Sequence, residues 1–330
     1  MIQYLYLGRV GYDEGLRLQA EIAGLVAEGR AQNVLLLLEH PPVLTLGRNA
    51  NRVNILASDE TLELRGVTVH EINRGGDVTY HGPGQLVGYP IFDLRTLHGP
   101  SGGRMGPVDF VRGMEEALIR LCCEYGVRAG RIAGLTGVWC GGGLTPEEHP
   151  SGAKAPVDSM PLMYGLKPVP STDRGISSCG LKPVPSTERS LSSGSESVID
   201  KNRPCERERK IGAIGIHVAR GITSHGFAFN VTTNLKDFAL IIPCGIPDHA
   251  VTSLALEVPK PEELPTLEAI ALAAARQFGQ VFDEQVLEVE SLDALRAEAA
   301  AVQFPAEDTP LQVPVEVERL HGGSERPIRV

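Results

Sequence analysis

The amino-acid sequence, 330 residues long, predicts an α+β fold. Three observations lead there. Short runs that alternate or stay continuously apolar, as strands do, recur in both halves of the chain. Runs with apolar residues at helical spacing fall between them. Two strand-like runs, Lys210 to Val218 and Thr223 to Val231, stand close enough to pair as a hairpin around Gly221. An apolar content of 42% is ample for a core, and a net charge of −10 argues against a nucleic-acid binder, whose footprint is basic.

The elements follow in order. A first strand near 2–7 leads to a helix over about 12–28, with Leu18, Ile22 and Leu25 on its apolar face and Gly29 at its end. Val34 to Leu38 is continuously apolar, as in a strand buried on both faces, and His40-Pro41-Pro42 breaks it. Val43 to Gly47 resumes in strand residues, Ser58 caps a short helix to about Leu64, and Val67 to Ile72 alternates. From Arg74 to Gln85, four glycines and a proline in twelve residues are too many for an ordinary strand; a plain glycine-rich hairpin is open, but the clustering of Arg74, Thr79, Tyr80 and His81 with the glycines favours a ligand-lining loop. It lacks the spacing and the following helix of a GxGxxG nucleotide fingerprint.

Leu86 to Phe92 returns to strand character, residues 108–125 form an amphipathic helix with Phe110, Met114, Leu118 and Leu121 on one stripe, and Thr136 to Cys140 reads as a strand. Residues 144–209 then hold nine prolines and many serines, and Gly165-Leu-Lys-Pro-Val-Pro-Ser-Thr172 recurs as Gly180-Leu-Lys-Pro-Val-Pro-Ser-Thr187. Such composition buries too little surface to offset chain entropy, so a disordered insertion is expected there. The folded sequence is 1–143 with 210–304. After the hairpin, Thr266 caps a helix over about 267–280, a strand follows near 285–289, and Ser291 starts a short helix. Residues 305–330 read as a weakly ordered tail.

No apolar run approaches the ~20 residues that span a bilayer. The start, Met1 to Leu7, alternates like a strand and lacks the pattern of a signal peptide, so a cytoplasmic protein is expected. Six cysteines (Cys122, Cys123, Cys140, Cys179, Cys205, Cys244) make no Cys-x-x-Cys pair, which argues against a zinc site or a disulfide framework. No metal and no cofactor are expected.

Cys244 stands apart from the others. In Leu240-Ile-Ile-Pro-Cys-Gly-Ile-Pro247 an apolar run stops at a proline, and the cysteine lies on a turn. A nucleophile and a buried turn cysteine both fit this stretch. A thiol with an ordinary pKa near ~8.5 needs a nearby cation to become a thiolate. Of the seven lysines only Lys210, Lys236 and Lys260 fall in folded sequence. Lys210 opens the small-residue strand Lys210-Ile-Gly-Ala-Ile-Gly215, where burial would favour its neutral amine, although spacing alone leaves a surface lysine open.

The stretch Arg74-Gly-Gly-Asp-Val-Thr-Tyr-His-Gly-Pro-Gly-Gln-Leu-Val-Gly-Tyr-Pro90 resembles the signature of the lipoyl(octanoyl) transferases. Lys210 to Gly215, His225-Gly-Phe-Ala-Phe-Asn-Val231, Pro243 to Ile246 and Thr252-Ser-Leu254 match the same family in order. The likeness covers about 1–143 and 210–290; the insertion and the tail depart from it. The resemblance implies a mixed β-sheet with flanking helices, as in biotin and lipoate protein ligases. It implies transfer of an octanoyl or lipoyl group from acyl carrier protein to a lysine of lipoyl domains, such as those of 2-oxoacid dehydrogenase and glycine cleavage proteins. Cys244 would carry the acyl thioester, and Lys210 would favour its thiolate and act as general base. The acyl pocket would be lined by Arg74, Gly75, Gly76, Asp77, Val78, Thr79, Tyr80 and His81, by Ala213, Ile214 and Gly215, and by Gly226, Phe227 and Ala228. Arg48, Arg52, Arg74 and Arg95 are candidates for a basic patch that receives an acidic carrier. Two alternatives remain: an ATP-dependent ligase of the same fold, and an acyl- or carrier-binding protein without catalysis.

Overall fold

The structure is a computed structural model and describes residues 1–99, 102–141, 208–243 and 250–302. Residues 144–207 of the expected insertion, the tail beyond 302 and Cys244 lie outside the described residues, whereas Arg209, counted with the insertion, opens a strand. Strand β1 (Ile2–Arg9) leads into helix α1 (Tyr12–Ala27), then β2 (Asn33–Glu39) and β3 (Val43–Leu46). Helix α2 (Asp59–Leu64), capped by the Ser58 side chain, precedes β4 (Thr68–Glu71), β5 (Val78–His81) and β6 (Gln85–Ile91). Helix α3 (Pro107–Glu124) is followed by β7 (Ala129–Ile132), β8 (Leu135–Cys140), β9 (Arg209–Ala219) and β10 (Ile222–Asn230). The chain continues through β11 (Ala250–Val251), α4 (Leu254–Glu257), α5 (Leu267–Phe282), β12 (Val286–Glu288) and α6 (Leu292–Ala301).

A large mixed sheet runs in the order β12-β1-β2-β6-β10-β9-β8-β7. The pairs β12/β1 and β1/β2 are parallel, and every later neighbour in that order is antiparallel. The mixed sheet with flanking helices expected above is therefore the one observed. Strand β2 is buried on both faces, as its continuous apolar run implies: Leu35 and Leu37 enter the core beneath α3 and α5, while Val34, Leu36 and Leu38 enter the core beneath α1. Each fully buried leucine contributes about 1.5–3 kcal/mol of transfer free energy. Among the described residues no helix is long and apolar enough to cross a membrane.

A second, three-stranded sheet, β4-β3-β5, has its own core of Leu44, Leu46, Val78, Tyr80, Phe238 and Leu240. Its strand β5 lies within the glycine-rich stretch read as a loop. It occupies four of the five non-glycine residues between Gly76 and Gly82, pairing antiparallel with β3, so glycine content disguised a short strand. The hairpin β9/β10 closes through Arg220 and Gly221, with φ of 53° and 86°, the left-handed pair that a two-residue hairpin turn requires. Cys122 is buried on α3, whereas Cys123 on the same helix is exposed.

The sheet forks at one point. Strand β10 leaves β9 after the pair Phe229–Gly212 and stays with β6 to Asn230. In the gap, β11 joins β9 in parallel, Val251 opposite Lys210. The chain approaches from the other side through the 3-10 helix Leu235–Leu240, whose following residue Ile241 bridges Ile55. Residues 240–243 and the start of β11 thus meet at the fork beside Lys210.

Candidate active site

A cavity of about 190 Å³ lies between the two sheets. Its floor is the face of the large sheet where Ala213 pairs with Ala228, Ala228 with Val87, and Gly215 with Gly226. Four small residues on two adjacent strands leave a flat slot where bulkier side chains would fill it. The two glycines are dictated by close approach. A Cβ at Gly215 would stand 2.7 Å from the Gly75 carbonyl oxygen, and one at Gly226 would stand 2.1 Å from that of Gly88. The roof is Thr79 and His81 of β5, together with the guanidinium of Arg74.

Lys210 enters this slot because of an irregularity in the ladder. Val138 pairs with Gly212 and Trp139 with Lys210, which leaves Ile211 as an extra residue on β9. Such a bulge re-aims the side chains beyond it, since a one-residue slip exchanges the faces of a strand. Plain alternation would put Lys210 on the face of Gly212, whose missing Cβ points at Leu118 and Val138 in the core. The bulge buries Ile211 there instead and turns Lys210 to the cavity. The lysine Nζ then stands 4.5 Å from the centroid of the Trp139 ring. Gly137 completes the seat: its φ is 122°, and a Cβ there would stand 3.3 Å from the lysine Cε. The Gly137 N–H donates to buried Glu115 of α3 at 2.9 Å, and Arg131 and Arg112 also donate to that carboxylate, which fixes β8 to the helix.

A buried polar chain organises the roof. The Gln85 amide nitrogen must face the Tyr80 carbonyl, which can only accept (3.2 Å), and it also donates to Asn230 Oδ1 (2.9 Å). Gln85 Oε1 therefore accepts from His81 Nδ1–H at 2.8 Å, and His81 Nε2 is left to accept from the Thr45 hydroxyl at 3.3 Å. Arg74 donates to the Thr45 carbonyl oxygen and hydroxyl. Asn230 in turn donates to the Thr252 carbonyl oxygen (2.9 Å), and the Thr252 N–H donates to the Lys210 carbonyl oxygen (2.9 Å). The histidine loop and the lysine strand are thus one hydrogen-bonded unit. Burial pushes the imidazole of His81 down to about 3, with His40 and Arg74 adding to the effect. His40 and His225 fall to about 4, again chiefly through burial. All three rings are neutral near pH 7.

Arg74, Gly76, Asp77, Thr79, His81, Lys210, Ala213, Ile214, Gly215, Gly226, Phe227 and Ala228 all line the cavity. Three of the residues named from sequence stand elsewhere. Val78 and Tyr80 alternate away from Thr79 and His81 into the core of the small sheet, where the Tyr80 hydroxyl donates to Asp237 at 3.0 Å. Gly75 instead ties its loop to β9, donating its N–H to the Ile216 carbonyl oxygen at 3.0 Å. Asp77 lines the cavity but spends its carboxylate on the loop, accepting from Val78 N–H and the Asn54 amide at 2.6 Å. Cys244 lies outside the described residues. Its chain neighbour Pro243 lines a smaller hollow together with Lys210, Thr79 and Asn230.

Sequence reading missed Tyr12, Val87, Tyr89, Thr136 and His225 as lining residues. Val87, Tyr89 and His225 lie within the stretches that carry the resemblance; His225 holds φ of 57° and donates its N–H to the buried Gln19 side chain. The expected basic patch is corrected in two places. Arg74 is buried within the roof, and Arg95 is held by Asp93 beside the hairpin tip at Gly221, about 30 Å along β9 from Lys210. Arg48 adjoins the Arg74 loop, its backbone N–H donating to the Arg74 carbonyl oxygen, and Arg52 pairs with Glu71.

The lipoyl protein ligase A/B catalytic domain family matches residues 11–278 of the chain. A protein named octanoyltransferase from Acidobacterium capsulatum is 48% identical over 304 residues, covering 92% of this chain and 98% of the relative. A second octanoyltransferase, from Koribacter versatilis, is 41% identical and covers 97% of both chains. Among solved structures, the bipartite lipoate protein ligase system of Thermoplasma acidophilum aligns at a TM-score of 0.54 with 14% identity, covering 91% of each chain, a likeness of fold.

Proposed function

The chain belongs to the lipoyl protein ligase A/B catalytic domain family, and we propose that it is an octanoyltransferase of protein lipoylation that works through an acyl-cysteine at Cys244. An acyl donor and a lipoyl-domain acceptor are its partners; the finer assignment is octanoyl acyl carrier protein as donor and the lipoyl domains of 2-oxoacid dehydrogenase and glycine cleavage proteins as acceptors.

In the first half, the Cys244 thiolate attacks the donor thioester carbonyl. A carbon–sulfur bond to Cys244 forms, the carbon–sulfur bond to the donor breaks, and the departing sulfur takes a proton from the Lys210 ammonium, which leaves that amine neutral. One thioester replaces another, so no ATP is consumed. In the second half, the acceptor lysine gives up a proton to Lys210 and attacks the acyl-cysteine. The amide bond forms as the bond to Cys244 breaks. The ammonium of Lys210 favours the thiolate in the resting site, and its neutral amine accepts the proton in the second half.

One observation carries this reading: Lys210 is turned by a bulge into a slot floored by Ala213, Gly215, Gly226 and Ala228, next to Pro243, to which Cys244 is bonded. That Pro243, the residue before Cys244, lines a hollow together with Lys210 supports the pairing of the cysteine with this amine. The slot suits an apolar chain, whose burial is worth up to about 0.8 kcal/mol per methylene.

Intact-mass spectrometry after incubation with octanoyl carrier protein tests the proposal. One added octanoyl group is expected, absent in Cys244→Ala and formed far more slowly in Lys210→Met. An unmodified wild-type chain would sink it, as would full transfer by Cys244→Ala from free octanoate and ATP.

A further inference from the structure

Lys210 and Tyr89 stand at opposite corners of the cavity floor. Lys210 is on β9, and Tyr89 is two strands away on β6, one same-face position beyond Val87. Two strand spacings and the offset along the strands separate their backbones by about 16 Å. The small residues fill the diagonal between them. We propose that Tyr12 and Tyr89 form the end wall of the slot and set the length of the acyl chain it takes. This rests on the acyl-transfer reading above.

The wall is held firmly on one side. His40 is fully buried, and its Nδ1–H donates to the Val10 carbonyl oxygen at 2.7 Å. Its Nε2 therefore accepts, and the Tyr89 hydroxyl donates to it at 2.6 Å. Helix α1 closes over the ring: a Cβ at Gly15 would stand 3.0 Å from His40 Cε1. Swinging Tyr89 aside would strand two buried polar groups, so that half of the wall does not yield.

Tyr12 is the half that can be changed. It opens α1 and is held by ring packing, 5.1 Å from His40, 4.9 Å from His70 and stacked at 6.3 Å on His81 in the roof. It is 7% exposed, whereas neighbouring Asp13 lies at the surface. Taking away the Tyr12 ring opens the slot outward at the start of the helix, while the Lys210 corner, the floor and Tyr89 remain. An octanoyl chain stops at the intact wall; a longer one is rejected there and accepted once the wall is open.

The experiment measures rates of acyl-adduct formation by intact mass with octanoyl, decanoyl and dodecanoyl carrier thioesters. In Tyr12→Ala the dodecanoyl-to-octanoyl rate ratio rises by about tenfold or more, the scale on which hydrophobic pockets discriminate methylenes. In Tyr12→Phe the ratio stays at its wild-type value. Tyr12→Leu, a smaller change to the helix start, raises the ratio in the same direction and decides the matter if the alanine variant does not fold. A ratio unchanged in the folded alanine or leucine variant overturns the length assignment while leaving acyl transfer standing. A wild-type chain that takes no acyl group overturns both.

Discussion

The ammonium nitrogen of Lys210 lies 4.5 Å from the centroid of the Trp139 ring, its cross-strand partner. A cation over an indole face is stabilised by about 0.5–2 kcal/mol, more where water is excluded, and Trp139 is fully buried. The indole thus steadies the position of the lysine. Trp139→Phe keeps an aromatic face and is expected to form the acyl adduct within about threefold of wild type. Trp139→Leu is expected to slow it by about tenfold, the kinetic equivalent of roughly 1.4 kcal/mol, and to lower stability by about 2–4 kcal/mol through lost packing. Stopped-flow adduct kinetics and urea melts separate the two effects. Equal rates in the phenylalanine and leucine variants would show that the ring only fills space.

Gly137 bears on the same amine from the backbone side. A Cβ there would meet the Gly212 carbonyl oxygen at 2.6 Å, and φ is 122°. Gly137→Ala therefore forces β8 from β9 or the lysine from its seat, at about 2 kcal/mol or more. Adduct formation should fall along with the urea midpoint. A stable variant with unaltered rate would mean that the lysine does not depend on this contact.

The hairpin β9/β10 was legible in sequence because its signals are local: two strand-like runs and a turn containing Gly221. The direction of Lys210 was not. It depends on an unpaired Ile211, which is defined only by pairing with β8, a strand that ends at Cys140. Tyr12 and Tyr89 escaped for the same reason. They meet through His40, and nothing within either local stretch announces a third residue. Val78 and Tyr80 were grouped with the pocket as members of one motif, yet a four-residue strand sends alternate side chains to opposite faces. A motif gives the stretch that builds a site; the pleat decides which half of it faces the ligand.

Strands β8 and β9 also frame a prediction about the long connection between them. Cys140 faces Arg209 across the antiparallel pair, so the two ends stand about 5 Å apart. A short turn can span that gap. Replacing residues 142–207 by a two- to four-residue turn such as Asn-Gly should preserve the fold and the rate of octanoyl transfer within about threefold. Circular dichroism and turnover of a lipoyl-domain acceptor check it. A folded variant with a large loss of turnover would assign the connection a part in the reaction.

Buried histidines make stability depend on pH in a direction that can be worked out. Burial lowers His40 and His225 to about 4 and His81 to about 3, against roughly 6.5 in an unfolded chain. Above pH ~6.5 all three are neutral in both states, and their contribution to stability is fully present. As pH falls, the unfolded chain binds protons that the native chain refuses, and each histidine removes about 1.4 kcal/mol per pH unit. Together they remove roughly 4 kcal/mol per unit until His40 and His225 titrate in the native state near pH 4, and His81 continues the loss toward about 3. A domain with about 5–15 kcal/mol of stability is exhausted within a few units of that slope. Urea midpoints at pH 7.5, 6.0 and 5.0 should therefore fall steeply between the last two. His40→Gln, which cannot titrate, should flatten the dependence by about a third even though it costs stability at neutral pH. Midpoints that stayed level from pH 7.5 to 5.0 would mean that the rings are not held neutral behind the cavity, and the rigid wall at Tyr89 would lose its support.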